Sequence, residues 1–537
     1  MRRRLASRRT LFATAAVIAL AFTAFSMPAA AGPAAGFKTG QAAMLTPVAQ
    51  GVTVEPILTV GETLPGSSYM FDSIPDGIAL QRHDNNRVDV FVNHETSTVP
   101  FPFTPPSATN PVGTGFNDFT NAMVSKLTLN RGTAGVLAGE YVIPSEANYQ
   151  RFCSNFIATK EHGFERPILF TNEEATDFVN RTGTAWPAAP GAEQAGVVVA
   201  YDVRTGKYRS IYGMGRHNHE NSVAVPGYGY PAVYSGDDTF SAPASQLYLY
   251  TARSAQAVWR DQGQLWAFKG DNATVNDYGD LAGAASTSGR FIPVPREIAV
   301  GDQNALENWS NANNVFQFIR VEDIAYDREQ ENVLYVADTG EPRAIPDAAT
   351  TRLRRGPSGT MGPYPNGRIF KMVLDPSDPT RVQSLSILID GDSLGAAGAG
   401  NVSLIHQPDN VETAGDLLLF QEDPGSHNQY ALSNPAGTTA RIWGYNLRTG
   451  GSPFVVARVD QSADEGPTDK DASTTRANAG AWESSGIVDT SDTLGPGTFL
   501  VDIQAGSLVV QEEVRMEGPN RLTYQREGGQ LLVLRME

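Results

Sequence analysis

Short apolar runs rich in Val, Ile, Phe, Tyr and Leu alternate along the chain with clusters of Gly, Pro, Asn and Asp. No fifteen-residue stretch holds a helical period, so the pattern predicts strands joined by turns. One motif recurs six times. A short lead strand opens on an acid (Asp76, Glu161, Glu220, Glu322, Asp409, Glu483). The next strand runs into a second acid (Glu95, Glu173, Asp237, Asp338, Glu422, Asp502), and a third strand follows, often opening on glycine. Six copies of a strand unit predict an all-β fold, a six-bladed β-propeller, because radial repetition leaves only short, protected sheet edges. The copies lie farther apart than the roughly 40–45 residues of a common propeller blade, so long inserted loops are expected. A seventh, degenerate blade and a different all-β array are the alternatives.

The first residues read differently. Arg2, Arg3, Arg4, Arg8 and Arg9 precede an apolar stretch from Leu11 to Phe25, and Ala29-Ala30-Ala31 suits cleavage. Residues 1–31 are therefore expected to be an export signal, and 32–537 a single propeller domain. Ser7-Arg8-Arg9-Thr10-Leu11-Phe12 gives the signal a twin-arginine character, a route taken by proteins that are already folded. No later run is long and apolar enough to span a bilayer. The expected location is secreted, periplasmic or cell-surface, and the expected state a monomer.

Charge and composition narrow the partners. The chain has 537 residues, with 41 basic against 58 acidic side chains and a net charge of −17. That disfavours nucleic acid and anionic lipid and favours cations. The 52 glycines and 34 prolines fit a turn-rich fold. A single cysteine, Cys153, excludes an intramolecular disulfide and a zinc site of several thiolates, and reads as a buried structural thiol.

In a propeller, equivalent positions of six blades ring one axis. The twelve repeated acids then converge on one mouth. At ~4 Å and an effective dielectric near 20, each like-charge pair costs about 4 kcal/mol. Such a site must take up protons or cations, and oxygen donors in number select Ca²⁺, with Fe³⁺, Mn²⁺ and Mg²⁺ as rivals. His94, His162, His217, His219, His406 and His427 lie near the repeated acids and are candidate ligands or phosphoryl-binding groups.

Several segments resemble motifs of the PhoX-type alkaline phosphatases. They are Gly215-Arg216-His217-Asn218-His219-Glu220, Arg320-Val321-Glu322-Asp323, Gln407-Pro408-Asp409-Asn410-Val411, Leu418-Leu419-Phe420-Gln421-Glu422-Asp423, Asn172-Glu173-Glu174 and Phe499-Leu500-Val501-Asp502-Ile503-Gln504. The resemblance runs from about Asp76 to Asp502. That family consists of twin-arginine-exported propeller phosphatases with a calcium and iron cluster. The resemblance implies metal-ligand roles for Glu220, Glu322 and Glu173 or Glu174, and calcium ligation around Asp409, Glu422 and Asp423. It implies Arg320 as the phosphate-binding side chain, with His219 or His217 assisting the leaving group. The catalytic set is then Arg320, His219 and Glu322. With the repeated acids, the metal set is Glu95, Asn172, Glu173, Glu174, Glu220, Glu322, Asp323, Asp409, Asn410, Glu422, Asp423 and Glu483. The family carries a cysteine iron ligand before its paired glutamates, where this chain has Asn172. A neutral oxygen donor suits several Ca²⁺ better than Fe³⁺.

The expected activity is hydrolysis of small phosphorylated substrates by a metal-dependent phosphoesterase. The alternatives are a calcium-stabilised propeller binding module and a calcium-dependent propeller lactonase or esterase. Gly391-Asp392-Ser393-Leu394-Gly395 matches a hydrolase nucleophile elbow but lacks the strand–helix context and reads as a loop. The acidic stretch from Asp460 to Asp471 reads as a solvated insertion.

Overall fold

A computed structural model describes residues 35–99, 117–179, 181, 193–239, 245–349, 352–423, 438–461, 482–517 and 520–537. The expected export signal at 1–31, His427, and Asp464 to Asp471 of the expected acidic insertion lie outside the described residues. The fold is mostly β, and the longest helix among the described residues is Gln303–Ala312. No helix among the described residues is long and apolar enough to cross a membrane.

The strands form antiparallel fans, each running outward from a lead strand. The first fan is Pro75–Arg82, Arg87–His94, Met123–Asn130 and Val136–Ile143. The second is Phe152–Ala158, Ile168–Glu173, Val198–Asp202 and Lys207–Ile211. The fifth starts at Pro408–Ala414 and the sixth at Glu483–Asp489. The third and fourth fans, led by His219–Ala224 and Val321–Tyr326, differ from the expectation of separate sheets. Thr287–Pro293 pairs on one side with Gln264–Gly270 and on the other with Asp378–Asp390, so the two fans join at their outer edges into one nine-stranded sheet. Each lead strand neighbours the next along the chain, and the sixth neighbours the first. They approach closely. A Cβ on Gly77 would lie 2.4 Å from the Asn155 amide nitrogen, and one on Gly486 2.4 Å from the Asp76 carbonyl oxygen, so glycine is required at both positions.

Strands from the first part of the chain join the sixth and fifth fans. Val52–Thr59 forms the outer strand beside Asn520–Met536, and Leu45–Pro47 extends the fifth fan along Val459 to Ala457. Apolar side chains fill the space between neighbouring fans. One such layer contains Leu419, Ile442, Val501, Ile503, Leu532 and Trp482, all buried. Leu532 is 0% exposed and pairs with both Pro56 and Val501. Leu532→Ala is expected to lower stability by about 2–5 kcal/mol, read as a shifted urea midpoint with an unchanged slope.

Candidate metal centre

All six lead strands carry the same irregularity. Pairing with the second strand breaks between Pro75 and Ile78, Phe152 and Asn155, His219 and Ser222, Val321 and Ile324, Pro408 and Val411, and Ser484 and Ile487. Each break is a β-bulge that leaves two residues unpaired and re-aims a side chain. The first unpaired residue is Asp76, Cys153, Glu220, Glu322, Asp409 or Ser485. Five of these six belong to one continuous cluster.

Donor atoms fall into four groups, within each of which all lie no more than 4.8 Å apart: Asp76, Glu95 and Cys153; Cys153, Glu174 and Glu220; Glu220, Glu322 and Asp409; Asp409, Asp423 and Glu483. Cys153, Glu220 and Asp409 each belong to two groups. Asp76, Cys153, Glu220, Glu322 and Asp409 are buried, whereas Glu95, Glu174, Asp423 and Glu483 are partly exposed. The first set is the floor and the second the rim.

A second repeat positions the rim. The amides of Glu95, Glu174, Asp238, Thr339 and Asp423 donate to the carbonyls of Ile74, Arg151, Asn218, Arg320 and Gln407, each two residues before a bulge, at 2.9–3.0 Å. Ile74, Arg151 and Gln407 adopt φ of 38°, 43° and 49°. A left-handed isoleucine is strained, and such strain gathers at functional sites.

Seven of the sequence-predicted ligands therefore meet: Glu95, Glu174, Glu220, Glu322, Asp409, Asp423 and Glu483. Glu173, Asp323 and Glu422 join none of these groups, and the amides of Asn172 and Asn410 are engaged with neighbouring strands. Alternate side chains of a strand face opposite ways, so the acid one position before the rim turns away from it. Glu173 accepts from the amides of Gln150, Gly196 and Val197 and pairs with Arg181. Glu422 accepts from the His406 and Arg441 amides, the Arg441 guanidinium and the Trp443 indole. Asn172 donates to the Ser154 carbonyl and accepts from Ser222. Asp323 accepts from the Ile324 and Val411 amides and from Asn221. Asn410 donates to Ser154 Oγ. These five side chains hold the bulges and the loops before them.

The repeat assignment is corrected in the sixth fan, where Ser485 rather than Glu483 takes the bulge position, and in the second. Glu161 lies in a short turn with its side chain 63% exposed, and the lead strand there is Phe152–Ala158. Cys153 is thus the second fan's counterpart of Asp76, and its thiol donates to Asp76 Oδ2 at 3.0 Å. The sequence reading took it for a structural thiol, although Cys153-Ser154 repeats the Glu220-Asn221 and Asp409-Asn410 pattern of a cluster residue followed by a small polar one. Asp238 was missed too. It lies at the rim position and takes the Arg320 guanidinium in two bonds of 2.6 and 2.8 Å. Arg320 also reaches Glu322 at 3.2 Å. Its charge is spent on these two carboxylates rather than held open for a phosphate.

No described histidine joins the cluster. His219 contacts Ser235 Oγ and the Gly215 carbonyl through its two ring nitrogens, and burial lowers its pKa to about 4. It does not face the floor as an acid would. His94, His162 and His406 are buried against carbonyl or hydroxyl oxygens. Asp392 of the elbow-like segment accepts from Tyr278 and from the Asn366 amide.

The cluster fits cations on its own chemistry. Glu220 Oε2 and Asp409 Oδ1 are buried without a hydrogen-bond partner among the described residues. Burial raises Asp76 to about 6 and Glu95 to about 8, with neighbouring carboxylates adding to both. Burial first, then neighbouring acids, pushes Glu174, Glu220, Glu322, Asp409 and Glu483 well above the carboxylate range. Cys153 is pushed up by burial and by Asp76 and Glu220. Oxygen donors in this number suit Ca²⁺, and one thiolate among them suits a softer ion such as iron.

The chain matches no protein-family model and no curated protein. Among solved structures it is similar to an endo-arabinase from Bacteroides thetaiotaomicron, at 9% identity and TM-score 0.27, covering 72% of this chain and 96% of that one. It is also similar to the NanB sialidase from Streptococcus pneumoniae, at 9% identity and TM-score 0.30 over 86% and 68% of the two chains. A puromycin hydrolase follows at 11% identity and TM-score 0.22 over 80% and 58%. Scores this low carry no argument about the site.

Without cations, Asp76 and Glu95 keep protons when folded that they lose on unfolding. Stability of the cation-free protein is therefore expected to fall as pH rises from about 4 through about 6 and about 8. Calcium is expected to raise the melting temperature more at pH 8 than at pH 5, with protons released on binding. Calorimetry with chelator and with calcium at both pH values checks this; an equal calcium effect at both contradicts it.

Proposed function

We propose that the six fans are the blades of a closed propeller and that its mouth is a multinuclear metal centre hydrolysing phosphate esters. One observation carries the reading. Acids from all parts of the chain, with its single cysteine, form one unbroken chain of potential ligands on a buried floor and an open rim. Four overlapping groups speak for several ions, and so against a lactonase with a single calcium.

Asp76, Glu220, Glu322 and Asp409 would hold cations from below, and Glu95, Glu174, Asp423 and Glu483 from the rim. Cys153 supplies the soft donor that the sequence reading sought at Asn172, which restores iron beside calcium as a proposed metal. Bound cations supply the positive charge that a transferring phosphoryl group needs, in a protein whose net charge would otherwise repel a phosphate. The chain's own side chains set the geometry. The Gln504 amide bridges Asp76 and Glu95 at 3.1 and 2.9 Å. Arg320, fixed on Asp238, orients Glu322 from the side. The proposal keeps an exported location and a small phosphorylated substrate.

A calcium-stabilised binding module without catalysis is the second reading. It is favoured by Arg320, whose guanidinium is already engaged by two carboxylates.

Hydrolysis of a chromogenic phosphomonoester, with and without chelator, separates the two. Wild type is expected to hydrolyse it and to lose activity on chelation. Glu220→Gln and Cys153→Ser are each expected to lower kcat at least a hundredfold. If calcium stabilises the protein yet no ester is cleaved, the binding module stands. Wild-type rates in both variants would remove the site.

A further inference from the structure

Two arginines stand at the same place in alternate fans and behave differently. Arg151 and Arg320 each lie two residues before a bulge position. The carbonyl of each accepts the amide of its own fan's rim residue, Glu174 or Thr339, at 2.9 Å. The Arg320 guanidinium crosses to the rim acid of the preceding fan and takes Asp238 in two bonds. Among the described residues Asp238 joins no ligand group. The corresponding rim acid before Arg151 is Glu95, and Glu95 does belong to a group, with Asp76 and Cys153.

The difference lies in where the Arg151 guanidinium goes. Its Nε donates to the Glu174 carbonyl at 3.1 Å, so residues 151 and 174 close a ring of two hydrogen bonds. Its Nη2 pairs with the carboxylate of Asp177, which is 1% exposed. Asp177 stands three residues past the rim. At that place the fourth fan has Pro342, which offers no acceptor side chain. The Arg151 amide donates to the carbonyl of Thr96, next to Glu95, at 3.1 Å. Arg151 is thus buried between two rim acids, and its charge reaches both Glu174 and Glu95.

A cation in that position can act in two ways. Paired with a rim carboxylate, it withdraws that carboxylate from metal binding, as Arg320 does with Asp238. Held on a separate acid, it leaves the rim carboxylates to ions and fixes the backbone that carries them. A buried guanidinium and a buried carboxylate are each costly alone, so Arg151 and Asp177 hold each other.

We propose that Arg151 is a positioning residue of the metal centre, presenting Glu174 to Cys153 and Glu220, and that Asp177 is the acid that keeps its guanidinium off Glu95. The inference rests on the metal-centre reading given above and concerns the two ligand groups that share Cys153. In this account the fate of one guanidinium per fan decides whether a rim acid becomes a ligand or part of the wall.

The test is a cobalt titration of full-length protein, followed by the absorption band of a thiolate bound to cobalt. Only an ion on Cys153, the single cysteine, produces that band. Wild type is expected to develop it. Arg151→Gln is expected to need about 10–100-fold more cobalt for half of the band, the usual effect of losing a residue that orients a ligand. Asp177→Asn keeps the bonds between 151 and 174, yet is expected to weaken cobalt at least tenfold, because the released guanidinium pairs with Glu95. Should Arg151→Gln fail to fold, Asp177→Asn carries the test. Unchanged or tighter cobalt binding in either folded variant overturns the proposal. That holds even where the metal-free melting temperature falls, since a merely structural role lowers stability without moving the band. No band in wild type removes the metal centre, and this proposal with it.

Discussion

A regular strand sends successive side chains to opposite faces, so a lead strand cannot aim two consecutive residues freely. The bulge suspends that rule once per fan. It releases two residues from the ladder, turns the first toward the floor and leaves the second to hold neighbouring backbones. Asn221 and Asp323 are bonded to each other, and Asn410 is bonded to Ser154. The floor is thus built on strand backbone rather than on loops, and rigid elements hold ligand geometry better than loops do.

The electrostatic consequence follows from where the bulges point. Five floor side chains and four rim carboxylates share a water-poor space in which each acid raises its neighbours. The surrounding cations relieve this only in part. Arg320 is spent on Asp238 and Glu322, Arg441 on Glu422, and Arg181 on Glu173 and Glu193. These arginines neutralise the acids that support the wall and reach Glu322 on the floor, and leave the other floor acids to protons or metal. The strained backbone at Ile74, Arg151 and Gln407 belongs to the same design, since their carbonyls fix the amides of Glu95, Glu174 and Asp423.

Much of this was legible in the sequence. Glu220, Glu322 and Asp409 could be read because each opens an apolar strand after a polar break, and that local pattern is what the fold uses. Cys153 could not, because Glu161 offered an acid of the expected type eight residues later, and nothing local reveals that it sits in an exposed turn. The joining of the third and fourth fans was equally hidden. It depends on Thr287–Pro293 finding Asp378–Asp390 across a long insertion.

The paired acids show where sequence reasoning reaches its limit. Glu173-Glu174, Asp237-Asp238 and Glu422-Asp423 each offer two carboxylates at neighbouring positions of one strand end. Composition cannot say which faces the cluster, because one step along a strand reverses the face. The structure gives the second of each pair the rim and the first the backbone amides behind it. Removing the first leaves buried donors such as the Gln150 and His406 amides without an acceptor, which is a folding defect. Removing Glu174 or Asp423 takes a carboxylate from the cluster, whereas Asp238 is held by Arg320. Adjacent residues of identical charge thus do opposite work: one secures the wall, the other makes the site demand a cation.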